Sequence, residues 1–307
     1  MINSPVLFVT FARPNYARHT WDAIKAAKPK SLYFYSNKGR KEVCGEIERN
    51  NEIRSFINEI DWDCDLHTWF REECVNVYES VRGAISWLFE NERQGIVFEE
   101  DCVPTPAFFS FCEQMLNKFA EDKRVWCISG DNFLNYNPSG YDYLFSHYHW
   151  MWGWASWADR WKQIDWQDFQ IDAFINSHIS FQLYKTKEQA RYREWEVKYL
   201  EKDLYETKCW DYAFGITIDK NNGVTVHPKT HLITNVGVSG VNHGSGKKEL
   251  VNIEPVFGDS EYLINHEPPF VFADLDYDYK VFCKFQKPKN IFQKILIKLK
   301  QQFSNND

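Results

Sequence analysis

The stretch Gly95-Ile96-Val97-Phe98-Glu99-Glu100-Asp101-Cys102-Val103-Pro104-Thr105-Pro106 decides how this chain is read. Gly95 closes a helical pattern. Ile96, Val97 and Phe98 then form a short apolar run that predicts a buried strand. Glu99, Glu100 and Asp101 follow at once, and Pro104 and Pro106 are expected to stop further ladder pairing. Adjacent carboxylates at the mouth of an apolar strand repel one another, and partial burial makes that worse. A bound cation is the simplest compensation. A hard divalent ion held by one or two carboxylates takes its other ligands from water and substrate phosphates. The pattern therefore points to a metal and a phosphorylated ligand at a strand end. The alternative is a polar loop after a core strand. If the extended conformation continues, Glu99 and Asp101 share one face and Glu100 points away.

Upstream, Val6 to Phe11 reads as a strand, turned by Arg13-Pro14-Asn15 into a helix over about 16–27. Ser31 to Tyr35 predicts a second strand, ended by the turn Ser36-Asn37-Lys38-Gly39. A polar helix around 45–59 and a strand at Leu66 to Phe70 follow. Val77, Val81, Ile85 and Leu88 repeat at helical spacing over 76–90. Downstream, Thr105 and Pro106 suit the N-cap and first position of a helix over 107–119. Strands alternating with helices predict an α/β fold with a mostly parallel, Rossmann-like sheet flanked by helices. Ligands of such sheets bind at the carboxyl ends of the strands. Arg13, the turn at 36–39 and the acids at 99–101 all fall at such ends.

The second half differs in texture. Val125 to Ser129 predicts a strand leading into Gly130-Asp131-Asn132. Trp150, Trp152, Trp154, Trp157 and Trp161 crowd the next segment, and most of them are expected to be packing. His147 and His149 flank Tyr148 in a predicted strand, where a structural role is expected. No role is read for His227 and His231. Residues 186–208 are charged and predict a solvated helix. Ile216 to Ile218 and Val224 to Val226 predict strands around an Asn221-Asn222-Gly223 turn.

Bulk properties narrow the class. The chain has 307 residues, enough for a large core. Its 36 Lys and Arg against 43 Asp and Glu give a net charge of -7, which argues against a nucleic-acid partner. None of its 8 cysteines has CxxC spacing, so a structural zinc site has little support. The N-terminus shows no secretory pattern, so free thiols and a cytoplasmic location are expected. No apolar run is long enough to span a bilayer.

Taken together, the motifs resemble the nucleotide-sugar transferases of GT-A fold. They are similar in particular to the inverting N-acetylglucosaminyltransferase I-type enzymes and to bacterial relatives labelled haemolytic-protein-like. The resemblance rests on a first strand followed by Arg13-Pro14, a helix with Arg82, the Glu99-Glu100-Asp101 strand end, and the Pro-x-x-Phe-Phe helix after it. Trp152-Gly153-Trp154-Ala155-Ser156-Trp157, Cys209-Trp210-Asp211 and Thr234-Asn235-Val236-Gly237 through His243 add to it. It covers about residues 4–245. It implies a metal-dependent, inverting glycosyltransferase that uses a nucleotide-diphospho sugar, UDP-linked by likeness, with Mn2+ or Mg2+. The acceptor implied is a glycan or lipid-linked oligosaccharide in bacterial surface polysaccharide synthesis.

The same resemblance places residues. Asp101 takes the metal-ligand place of the DxD motif. Glu100 stands where a ribose-contacting acid is expected; the family usually has Asp there. Glu99 faces the donor sugar, Arg13 meets the diphosphate, Asn37 sits by the base, and Arg82 lies nearby. Asp211 matches the catalytic base, with a helix N-terminal acid as the alternative. His243 matches a late His that closes over the diphosphate or metal, with glycines around it that suit a closing loop. Two other functions stay open, a non-catalytic sugar-binding or scaffold protein and a nucleotidyltransferase. The latter is expected to carry a Gly-rich basic loop after its first strand, and Phe11-Ala12-Arg13-Pro14 does not supply one.

The expected organisation is a transferase domain over 1–245, with a nucleotide-sugar half at about 1–105 and an acceptor half at 106–245. An extension over 246–287 and a tail over 288–307 follow. In the tail, Ile291, Phe292, Ile295, Leu296, Leu299 and Phe303 fall on one helical face, with Lys289, Lys294, Lys298 and Lys300 around the other. A basic amphipathic C-terminal helix of this kind suits an anionic membrane surface on the inner face of the cytoplasmic membrane. Packing on the domain, or on a second subunit of an oligomer, is the alternative.

Overall fold

The computed structural model describes residues 1–135, 137–206, 209–237 and 261–287. His243 and the tail over 288–307 lie outside these residues.

An eight-stranded sheet runs through the molecule in the order β3-β2-β1-β4-β8-β6-β9-β7. Its strands are β1 (Val6–Thr10), β2 (Ser31–Ser36), β3 (Asp65–Phe70), β4 (Gln94–Glu99), β6 (Val125–Ser129), β7 (Tyr143–Ser146), β8 (Trp154–Trp157) and β9 (Val224–Pro228). β1 pairs in parallel with β2 and β4, and β2 with β3. β8 is antiparallel between β4 and β6, while β9 runs parallel to β6 and carries antiparallel β7 at the edge. This is the mixed, mostly parallel α/β sheet the alternation of elements predicts. The register Val9↔Glu99 and Thr10↔Ser36 brings the carboxyl ends of β4, β1 and β2 level. That edge carries the acids.

Strand alternation builds a core on each face. Val6 and Phe8 enter a cluster with Trp21 and Ile24 of α1 (Pro14–Ala27) and with Phe108, Phe111 and Met115 of α4 (Pro106–Lys118). Leu7 and Val9 point the other way, into Val81, Ile85 and Leu88 of α3 (Val77–Asn91) and Phe214 of α10 (Trp210–Lys220). Pro14 opens α1, where its fixed φ is already helical and its missing N–H costs nothing. Asn76 caps α3 by accepting from the Glu79 N–H. The polar segment at 46–59 divides into α2 (Glu46–Arg54) and a 3-10 turn (Ser55–Glu59).

Several expectations are corrected. Ile216 to Ile218 is not a strand but part of α10, in which Ala213 through Asp219 are all buried. A helix buried on every side reads as an unbroken apolar run, which periodicity cannot tell from a strand. His147 and His149 lie in the loop after β7, not in a strand. Pro104 does not end pairing. β5 (Cys102–Pro104) forms a small antiparallel ladder with β10 (Ile233–Asn235), where Pro104 sits at a strand end and needs no donor. The charged segment after 186 is two helices, α8 (Lys187–Tyr199) and α9 (Glu201–Tyr205), and α8 has a buried side. Short helices α5 (Ala158–Trp161), α6 (Ile171–Ser177) and α7 (Ser180–Leu183) precede them.

The crowded tryptophans are packing, as expected: Trp154 of β8 stacks on Trp210 at 5.8 Å and lies 6.3 Å from Trp161. The described end of the chain, α11 (Leu275–Phe285), packs on β7. Tyr277, Val281 and Phe282 are fully buried there, and Asp278 accepts from Ser146 Oγ at 2.5 Å. All eight cysteines are free thiols, and no helix among the described residues is long and apolar enough to cross a membrane.

Candidate active site

β4 ends at Glu99, and the chain turns there rather than staying extended. The expected alternation of the three acids is therefore lost. Glu100 and Asp101 instead converge on one guanidinium. Arg13 Nε reaches Glu100 Oε1 at 2.5 Å, and Arg13 Nη2 reaches Asp101 Oδ2 at 2.9 Å. The Phe11 N–H donates to Glu100 Oε2 at 2.7 Å, and Thr20 Oγ1 donates to the Glu100 carbonyl at 3.1 Å. The acidic turn is thus fastened to the β1–α1 loop and to α1. Both carboxylate oxygens of buried Glu100 are engaged by the chain itself.

Carboxylates repel one another at this point. Burial pushes the Glu99 carboxyl up to about 8, and the charges of Asp101 and Asp211 add to the rise against the opposing pull of Arg13. Burial also raises Glu100, with Arg13 opposing. Asp211 stands in the exposed first turn of α10, so α10 and β4 bring Glu99, Asp101 and Asp211 into one electrostatic field. Arg13 pairs with Glu100 and Asp101, while the carboxylates of Asp101 and Asp211 act against ionisation of Glu99.

A second wall closes over Asp101. The Val236 N–H donates to the Asp101 carbonyl at 2.9 Å, and Cys102 Sγ donates to Asp101 Oδ1 at 3.7 Å. A Cβ on Gly237 would come within 1.9 Å of Asp101 Oδ2. Only a glycine lets the backbone pass this close to the carboxylate. The Thr234-to-Gly237 motif therefore lies directly against the acid it follows by more than a hundred residues.

Behind this wall lies a feature that the sequence reading passed over. Asp131, just past β6, is fully buried, and burial pushes it up to about 7. Its Oδ2 accepts from the Trp152 N–H at 3.2 Å, while Oδ1 has no hydrogen-bond partner among the described residues and lies 4.0 Å from His231 Nδ1. Burial drives His231 down to about 3, so it is neutral, and its Nδ1 accepts from the Asn132 N–H at 2.9 Å. The available signal was an acid immediately after a buried strand, the same pattern that drew attention to Glu99.

The remaining candidates are placed as follows. Asn37 is buried and its amide is consumed locally: Nδ2 donates to the Val75 carbonyl at 2.8 Å, and Oδ1 accepts from the Lys38 and Val75 N–H groups. It ties the end of β2 to the loop before α3. Arg54, which received no role, donates to the carbonyls of Asn37 at 3.1 Å and Arg71 at 2.9 Å. Among the described residues no carboxylate pairs with Arg54, and burial lowers its pKa. Arg82 stacks over Trp166 at 4.3 Å and packs by Tyr78, not against the acids. The structure thus brings Arg13, Glu100 and Asp101 into contact, with Glu99 in the field of Asp101 and Asp211, while the contacts of Asn37 and Arg82 are with other residues.

Among the described residues no three His, Cys, Asp or Glu side chains form a ready metal cage. Glu99 and Asp101 are oxygen donors at a point where carboxylates repel one another. That donor set fits a hard divalent ion which completes its shell with water and diphosphate oxygens.

No protein-family model and no curated protein matches the chain. Among solved structures, the chain is similar to an apo UDP-glucose pyrophosphorylase, with TM-score 0.36 and 10% identity over 76% of this chain and 93% of that one. It is also similar to a UTP-bound UGPase from Acinetobacter baumannii, with TM-score 0.37 and 7% identity over 76% and 88% of the two chains. The glycosyltransferase GlyE of Streptococcus pneumoniae TIGR4 gives TM-score 0.30 and 11% identity over 67% and 44%. Likeness at these levels does not bear on the assignment of an activity.

Proposed function

We propose that this protein is a metal-dependent glycosyltransferase of GT-A type, moving a sugar from a nucleotide-diphospho sugar to a glycan hydroxyl with inversion. The observation that carries the reading is the convergence of Asp211 with Glu99, Asp101 and Arg13 at the carboxyl ends of β1 and β4. A base close to an anion-binding group is what such a transfer needs. Asp211 takes the proton of the acceptor hydroxyl as its oxygen attacks C1. The bond from C1 to the diphosphate oxygen breaks, and that oxygen leaves with the electron pair. Arg13 is one-third exposed and holds Asp101. With donor bound, it turns to the diphosphate and stabilises the charge building there. Asp101 and Glu99 would hold a divalent ion, Mn2+ or Mg2+, which would supply further neutralisation of that charge. The UDP preference and the surface-glycan acceptor rest on the motif resemblance.

The test is turnover of a nucleotide-sugar panel with Mn2+, read as nucleoside diphosphate released. EDTA is expected to abolish release. Asp101→Asn should remove most of it together with metal-dependent donor binding. Asp211→Asn should keep donor binding and lose on the order of 10² to 10⁴ in rate. The product should have inverted anomeric configuration by NMR. Pyrophosphate release from a nucleoside triphosphate and a sugar phosphate would make the protein a nucleotidyltransferase instead. Sugar binding without turnover of any donor would make it a scaffold.

A further inference from the structure

Helix α8 carries an unusual stripe on its outer side. Tyr192, Trp195, Glu196 and Tyr199 follow at i, i+3, i+4 and i+7, which places them on one face. The opposite face, with Ala190, Arg193 and Val197, is buried. The stripe is aromatic, partly buried at Tyr192, Trp195 and Glu196 and open at Tyr199. Trp195 and Tyr199 stack at 5.3 Å with their planes 22° apart, Tyr192 lies 5.3 Å from Trp195, and Tyr199 is 46% exposed. Rings of this size usually turn inward. Tyr192 is backed by Phe282 of α11 at 5.7 Å.

Glu196 is the one carboxylate in this stripe, and it does not swing freely. Arg193 Nη1 donates to Glu196 Oε2 at 2.8 Å, while Arg193 Nε holds Asp219 Oδ2 at 2.8 Å. Arg193 thereby bolts α8 to α10. On α10, Tyr212, Gly215 and Asp219 form the facing stripe, and a Cβ at Gly215 would lie 3.7 Å from Arg193 Nη2. Tyr212, one turn before Gly215, completes the row beside Glu196. The Glu196 charge is the main cause of the raised pKa of the Tyr212 hydroxyl, followed by burial and Asp211. The next residue back is Asp211 itself.

We infer that this surface, Trp195 and Tyr199 with Tyr192, Glu196 and Tyr212, is the subsite that binds a pyranose ring of the acceptor beside Asp211. The inference rests on the glycosyltransferase reading and names its acceptor class. Tyr199, stacked on Trp195 and the exposed member of the pair, offers its outer face to the C–H face of a sugar ring, with the indole as its backing. Glu196, fixed by Arg193, offers an acceptor for ring hydroxyls at a set position. Acyl chains would gain nothing from an immobilised carboxylate. Tyr212 follows Asp211 directly, and Arg193 joins the helix that carries Asp211 to the helix that carries the stripe.

The experiment uses the full chain and a panel of methyl hexosides, methyl N-acetylhexosaminides and their disaccharides. Binding is read by saturation-transfer NMR and by quenching of tryptophan fluorescence. The wild-type chain should bind at least one member. Trp195→Ala should weaken that binding by at least about tenfold, Trp195→Phe should recover part of it, and Glu196→Gln should change which epimer is preferred. Matched unfolding midpoints for Trp195→Phe and wild type keep the comparison clear of folding defects. The inference is overturned if no member binds, or if wild type and Trp195→Ala bind alike. Donor turnover by wild type is scored apart from this. Sugar binding at Trp195 without nucleoside diphosphate release sinks the transferase reading alone. Release of nucleoside diphosphate with no Trp195-dependent binding sinks the subsite alone.

Discussion

Glu99 concentrates the physics of the cleft in one side chain. Its proton is held up to about 8 against an ordinary 4.5, so between those values the folded chain binds more protons than the unfolded one. Stability from this group is therefore full below about 4.5 and is lost as the pH rises through about 8. Asp131, held up to about 7, acts in the same direction at lower pH, while His231, driven down to about 3, acts in the opposite one. The comparison that isolates Glu99 is wild type against Glu99→Gln. Their unfolding midpoints should coincide near pH 4.5 and diverge by roughly 2–6 °C in favour of the variant at pH 8.5. Mn2+ with UDP should close that gap by raising wild type alone. Parallel curves across the whole range would mean that Glu99 carries no strained charge. That the triplet needs positive charge beside it was legible in the sequence, and Arg13 supplies part of that charge. The geometry of the three acids was not legible. Alternation assumes that the strand goes on, and it ends one residue too early. Asn37 shows the complementary blindness: a turn asparagine reads as a ligand contact until its partners at Lys38 and Val75 appear.

Among the elements, α10 matters most, because its first turn carries Asp211 and its far end carries Asp219. The helix is held at that far end by a buried ion pair between Arg193 and Asp219. Burial also pushes the Asp219 carboxyl up. Removing one partner of such a pair leaves an uncompensated charge. Arg193→Met is expected to cost about 3–5 kcal/mol in urea unfolding near neutral pH. The deficit should shrink as the pH falls toward 5, because the orphaned Asp219 can then take a proton. A deficit that does not change with pH would show that Arg193 acts through packing instead. Helices with a punctuated start, such as α1 at Pro14 and α3 at Asn76, were read nearly to the residue. The short strands β5, β7, β8 and β10 were not, since three or four residues give periodicity too little to work with. α10 was misread because a helix apolar on all sides has no period to find.

At the scale of the whole molecule, the parallel half of the sheet, β1 through β4 with α1 and α3, was legible because each strand and helix alternates within a few tens of residues. The other half depends on long-range partners. β8 inserts between β4 and β6, and β10 returns from far along the chain to pair with β5. No local pattern announces either. The reach of the domain follows from the same long-range packing. An organisation that stops near 245 treats the segment before 287 as an appendage, yet α11 is bound into the core. Tyr277 Oη donates to Asn132 Oδ1 at 3.2 Å, Lys284 Nζ donates to the Phe133 carbonyl at 2.9 Å, and Asp278 holds both Ser146 and the His147 N–H. Those contacts fasten the loop after β6, including the turn that contains Asp131, to the β7 edge. A chain ending after residue 287 is therefore expected to unfold cooperatively with the midpoint of the full chain, measured by circular dichroism. A chain ending after residue 245 loses Tyr277, Val281 and Phe282 from the core and leaves Leu144 and Tyr148 uncovered. It should show a midpoint lower by at least several degrees, or fail to yield folded protein. Equal midpoints for the two truncations would mean that α11 decorates the fold rather than completing it.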